Sequence, residues 1–171
     1  GCWWITVFGL DPNKEYRFQY HLGTKSTVST EPDKVIRMSD PFSEKVLDPD
    51  NDKWINYSNT IYPAEEMQYP DGGVGTVSCV KINRDNYPWS DFTMKNQDCP
   101  VIYEMLFGDF TATHDIAGAM EKLDYLKTLG INAVELMPIQ EFDGNESWGY
   151  NPNHYFAVDK AYGTSKQYKD F

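Results

Sequence analysis

Residues 101–107 and 131–137 are two nearly continuous apolar runs, and between them apolar side chains recur every three or four positions. No other feature limits the fold of this chain so much. A run such as Val101, Ile102, Tyr103, Glu104, Met105, Leu106 and Phe107 fits a strand covered on both faces. Ile116, Met120, Leu123, Leu126 and Leu129 draw one stripe along a helix. Asp115 can accept from the free N–H groups at its start, and Gly130 offers a left-handed stop at its end. Gly118 within it should cost about 1 kcal/mol against alanine. Pro138 closes the second run. Strand, helix and strand in this order make a βαβ unit with parallel strands and a right-handed crossover. Such a unit alone leaves two strand edges and one sheet face without partners. A larger parallel sheet is therefore expected beyond it, because residues 139–171 carry little more apolar periodicity. Residues 166–171 read as the first turns of another helix.

Upstream the period falls to two. Tyr16, Phe18, Tyr20 and Leu22 share one face of a stretch whose other face is polar, the mark of a half-buried antiparallel strand. Residues 3–8, rich in aromatic and β-branched side chains, are expected to form a strand before a turn at residues 9–14. Short strands are also expected at 35–38 and 76–82. Asp40-Pro41, Asp48-Pro49 and Tyr69-Pro70 keep the region between them irregular. Residues 1–98 thus read as an all-β, immunoglobulin-like sandwich with its linker, incomplete at its amino end. Residues 99–171 read as a βαβ unit belonging to a larger parallel sheet. A complete small all-β domain over 1–98 is the alternative.

A formal net charge of −11 excludes a protein that grips nucleic-acid phosphates, and nothing in it repels a neutral glycan. No apolar run approaches the ~18 residues of a membrane span. Cys2, Cys79 and Cys99 are too scattered for a zinc site or a disulfide framework. Three separate thiols are expected, with one bridged pair as the alternative.

Residues 141–164 form a long stretch, dense in aromatics and amides, after the carboxyl end of a parallel strand. That is where α/β folds place binding sites. Trp148, Tyr150, Asn151 and His154 have the chemistry to stack on sugar faces and hydrogen-bond to their edges; packing the loop down is the competing use. Glu104 and Glu135 fall inside the apolar strands, where a carboxylate is costly unless paired. Asp143, Asn145 and Glu146 are hard oxygen ligands at close spacing, yet short of a full calcium loop, so a solvated loop is the better reading. No metal ligand is assigned.

Val101-Ile102-Tyr103-Glu104, the helix at 121–130, Ile131-Asn132-Ala133-Val134-Glu135-Leu136-Met137-Pro138 and Trp148-Gly149-Tyr150-Asn151-Pro152 together resemble the α-amylase family of glycoside hydrolases. The likeness is to starch- and glycogen-active members with an amino-terminal β-sandwich, and the stretch 40–49 resembles the end of that sandwich. The resemblance implies that residues 101–106 and 133–137 are the first two strands of a (β/α)₈ TIM barrel. It makes Tyr150 the aromatic that stacks on the sugar at the bond to be cut, flanked by Trp148 and Asn151. Asp159 and Gly163 would shape the loop. The chain has Gly108-Asp109-Phe110-Thr111 where the family often has Arg-Asp-Phe-Thr, so a contact made by that arginine is absent.

The resemblance further implies a retaining mechanism on α-1,4-glucans (starch, glycogen, maltooligosaccharides), whose paired carboxylates stand ~5–5.5 Å apart. The family's catalytic acids follow later strands than these, so no catalytic residue is assigned here and the chain alone is expected to be inactive. A branching or debranching enzyme, or a non-catalytic carbohydrate-binding piece using Trp54, Tyr57, Tyr62, Trp89 and Phe92, is the alternative function, although filling the seam between the two regions is the better reading of those five aromatics. No cofactor is expected in this chain, with calcium open for the full-length enzyme. The expected partner is an α-glucan, and the rest of the barrel is expected from sequence beyond this stretch. An extracellular or cell-surface location is implied, with a cytoplasmic glycogen enzyme as the alternative.

Overall fold

The computed structural model describes residues 4–25, 34–55, 62–84, 86–93 and 99–171. Cys2, Trp3 and Tyr57 lie outside the described residues. The fold combines small sheets with short helices into a partial, unclosed barrel-like arrangement.

The amino-terminal part is built on β1 (Glu15–Phe18), β2 (Tyr20–Thr24), β3 (Lys34–Met38), β4 (Val46–Leu47) and β5 (Val77–Lys81). β5 lies between β1 and β4, antiparallel to both, while β2 pairs antiparallel with β3 in a separate sheet. The expected strand over 15–22 is thus divided at Gln19, and its halves pair with different partners. Gln19 explains the division: its side-chain amide donates to Val74 O (2.6 Å) and Thr76 O (2.8 Å), holding the chain at the entry to β5. No two-layer immunoglobulin-like sandwich is seen among the described residues. The expected first strand is also not formed. Residues 4–8 are irregular, with Trp4, Ile5, Val7 and Phe8 exposed. Among the described residues no strand pairs with it, and an extended segment alone leaves its backbone groups without partners.

The βαβ unit is present. β6 (Ile102–Met105) and β7 (Ala133–Leu136) run parallel, with Glu104 opposite Glu135. Only one face is covered: Met105 is buried and Tyr103 and Leu136 pack on the core, while Ile102, Glu104 and Glu135 are exposed. A short helix, α1 (Phe107–Phe110), takes the place of the expected loop after β6. The long helix is divided into α2 (Ile116–Met120) and α3 (Leu123–Thr128). Asp115 caps α2 as expected, accepting from Gly118 N at 2.8 Å. Gly130 ends α3 region at φ 81°. Ile116 and Leu126 are buried, but Met120 and Leu129 are exposed, so the stripe is only partly covered.

Residues 139–171 hold more structure than their periodicity indicates. β8 (Gln140–Phe142) and β9 (Pro152–Val158) form an antiparallel ribbon with irregular register, followed by α4 (Ser165–Asp170). The core gathers Met105, Phe107, Ile116, Ala119, Phe142 and Tyr162, so β6, α1, α2, β8 and the turn after β9 share one apolar centre.

Candidate functional site

The ribbon β8–β9 springs from the carboxyl end of β7 and carries residues 143–151 at its tip. Gly149 fixes where that tip lies. Its φ is 85°, and a Cβ there would stand 2.4 Å from Pro138 O, so only glycine lets the tip rest on the end of β7. Gly149 is buried, while Trp148 and Tyr150 on either side are each 67% exposed. Two aromatic rings are therefore held open to solvent above a parallel strand end, where sugar faces can stack on them.

Hydrogen bonds brace the tip from within. Tyr162, in the apolar core, donates its hydroxyl to Ser147 O (3.1 Å). Ser147 Oγ accepts from Gly149 N (3.0 Å) and donates to Asn151 Oδ1 (2.5 Å). Asn151 Nδ2 reaches Asp143 O at 3.4 Å. The expected site residues Trp148, Tyr150 and Asn151 thus share one tip, with Asn151 spent on holding its shape. His154 is buried instead, sharing a 2.8 Å hydrogen bond with Ser39. Burial, then the charge of Lys160, pushes its pKa down. Its ring is turned toward Ser39 and away from solvent.

At the root of the ribbon lies a charged cluster that sequence reasoning missed. Lys160 is 1% exposed, and its ammonium donates to Glu141 Oε1 and lies 3.3 Å from Asp52 Oδ1. Asp159, equally buried, accepts from Ala161 N (2.8 Å) and Phe142 N (3.4 Å) through its two oxygens. Asp159 thereby ties the backbone of β8 to that of the turn after β9. Burial alone would lower the pKa of Lys160, but Glu141, Asp52 and Asp159 outweigh it and raise it. Burial raises the carboxyls in turn, Glu141 to about 7 and Asp159 to about 6, with Lys160 pulling both the other way. Asp52 is raised for the same reason. One ammonium cannot fully compensate three buried carboxylates. Glu141 is the carboxyl in closest contact with Lys160.

Other expectations fall out differently. Tyr62 is buried, donating to Gly163 O at 3.0 Å, so it packs against the turn before α4. Trp54, Trp89 and Phe92 are exposed. Asp143 and Asn145 turn toward residue 51, and among the described residues no group of carboxylates, histidines or cysteines is arranged to hold a metal ion. Cys79 is buried and Cys99 exposed, both as free thiols.

An aromatic tip stands over a parallel strand end, on a βαβ unit braced by a ribbon, and comparison places this fold in a family. The chain belongs to the α-amylase family: residues 60–171 match the model for the alpha amylase catalytic domain. The malto-oligosyltrehalose trehalohydrolase of Saccharolobus solfataricus is 37% identical over 117 residues, covering 67% of this chain and 20% of that protein. The 1,4-alpha-glucan branching enzyme of Picrophilus torridus is 27% identical over 177 residues, covering 99% of this chain and 20% of its own length. Among solved structures, a putative alpha amylase from Salmonella typhimurium superimposes with a TM-score of 0.57 at 26% identity, covering 80% of this chain and 19% of that one. The chain spans about a fifth of the length of these relatives.

Proposed function

We propose that this chain is part of an enzyme that cuts or rearranges α-1,4-linked glucan chains, and that these residues supply its early sugar platform. Similarity to a malto-oligosyltrehalose trehalohydrolase and to a glucan branching enzyme favours a chain-remodelling activity of that kind over simple starch hydrolysis. One observation carries the platform: Trp148 and Tyr150 stay exposed while the glycine between them is buried against Pro138. Rings held this way need no reordering when a sugar arrives, which lowers the cost of binding. Tyr150 stacks on the sugar beside the bond that reacts, and Trp148 extends the surface along the glucan.

On the family resemblance the reacting acids follow later strands, and the 171 residues are expected to bind glucan without cleaving it. Calorimetry with maltoheptaose tests the platform. The expected result is measurable binding, weakened by about 1–3 kcal/mol in Trp148→Ala and in Tyr150→Ala, with the fold retained. Equal heats from wild type and both variants would remove the platform. Reducing ends released from starch by the same sample would remove the division between binding and cleavage.

A further inference from the structure

The turn at residues 48–52 lies ahead of the stretch matched to the catalytic domain, yet it touches the aromatic ribbon twice. At the root, Asp52 Oδ1 faces the buried ammonium of Lys160 at 3.3 Å. Nearer the tip, Asn145 Nδ2 donates to Asn51 O (2.8 Å) and Asn51 Nδ2 donates to Asp143 Oδ1 (3.4 Å). The turn is itself rigidly tied. Asp52 Oδ2 accepts from Asp48 N (2.9 Å), and Asp48 Oδ1 accepts from Asp50 N (2.8 Å) and Asn51 N (3.2 Å). Asp52 N closes it by donating to Asp48 O at 3.0 Å. A self-locked turn with one anchor at the base of a ribbon and another beside its tip fixes both position and tilt of what lies between.

We propose that Asp52 is a positioning residue for the sugar platform: through Lys160 at the root and its neighbour Asn51 near the tip, the 48–52 turn sets where Trp148 and Tyr150 meet a glucan chain. The inference rests on the platform reading above. Asp52 touches no sugar and acts only through Lys160 and the loop. Its removal shifts the rings and not the fold, because Lys160 keeps Glu141 and the core under the ribbon is untouched.

The test uses the full chain labelled with 5-fluorotryptophan, the Trp148 fluorine line being assigned with Trp148→Phe. Asp52→Asn removes the charge and one acceptor. Asn145→Ala removes the tip anchor on a partly exposed residue, and so stays informative if the first variant fails to fold. Either folded variant should move or broaden the Trp148 line while Trp89 keeps its own. Maltoheptaose should bind about 5-fold more weakly or worse, the lower end of ordinary coupling between linked sites. A merely structural Asp52 would lower the thermal midpoint without moving the Trp148 line. Unchanged Trp148 lines in the folded variants overturn the inference. If wild type itself gives no heat with maltoheptaose, the platform reading falls and the Trp148 line alone decides the brace.

Discussion

Gly118 shows how a single position can reverse its sequence-level expectation. In a helix interior, alanine in place of glycine gains about 1 kcal/mol from propensity. Here a Cβ would stand 2.1 Å from Thr113 Oγ1 and 2.4 Å from Thr111 Oγ1. Those hydroxyls bond each other at 3.0 Å, and Thr113 donates to Asp115 Oδ1, the same atom that accepts from Gly118 N. The cap and the small residue are one device. Gly118→Ala should therefore lower the thermal midpoint, at a cost of about 1–3 kcal/mol for forcing the threonines aside. A raised midpoint in a melting experiment would leave propensity as the governing effect. Lys160 is the opposite case, invisible from its neighbours. Nothing in Asp159-Lys160-Ala161 signals burial, since the carboxylate that helps hold the lysine comes from Asp52, far upstream.

At the level of elements, what was legible depended on locality. Asp115, Gly130 and the two apolar runs act within a few residues of themselves, and β6, α2, α3 and β7 appear where they point. The helix break at Glu121 and Lys122 carries no glycine or proline, so nothing marked it. The ribbon's sequence reads as a loop because β9 lacks strict alternation: His154 and Ala157 are buried, while Tyr155 and Phe156 between them are both exposed. Its register against β8 shifts twice, which blurs a period of two. The aromatic tip was legible as a cluster of residue types, but its bracing through Ser147 and Tyr162 was not. Further on, Thr164 and Gln167 form a complete capping box at the start of α4, Thr164 Oγ1 accepting from Gln167 N at 3.2 Å and Gln167 Oε1 from Thr164 N at 2.8 Å. Thr164→Ala should cost about 1 kcal/mol, seen as an earlier denaturation midpoint. An unchanged midpoint would mean that α4 is held by its packing alone.

Across the whole molecule, the buried charges link stability to pH. The carboxyls of Glu141, Asp159 and Asp52 are raised by burial, so the folded chain keeps protons that the unfolded chain has released. Where the folded state binds more protons, stability falls as pH rises. For these groups the fall runs from ordinary carboxylate values up to about 7, the folded value of Glu141, and then levels off. Lys160, itself raised, keeps its contribution across that window. Melting of wild type and Glu141→Gln at about pH 5 and about pH 7.5 checks this, the variant showing the smaller decline between the two. An identical decline in both would show that Glu141 does not hold its proton.

The contact between Asp52 and Lys160 also has a place in time. During synthesis the 48–52 turn leaves the ribosome well before the ribbon it will meet, and its own hydrogen bonds are all local. It can be finished while its counterpart is still being made. The ion pair closes a long loop of chain, and such closures carry an entropic cost that must be met before any contact repays it. Lys160 thus arrives last, bringing a charge that finds water or two waiting carboxylates and little between. The aromatic tip of the ribbon takes its final place only with that arrival, so the ordering of Trp148 and Tyr150 belongs to the late steps of folding for this part of the chain.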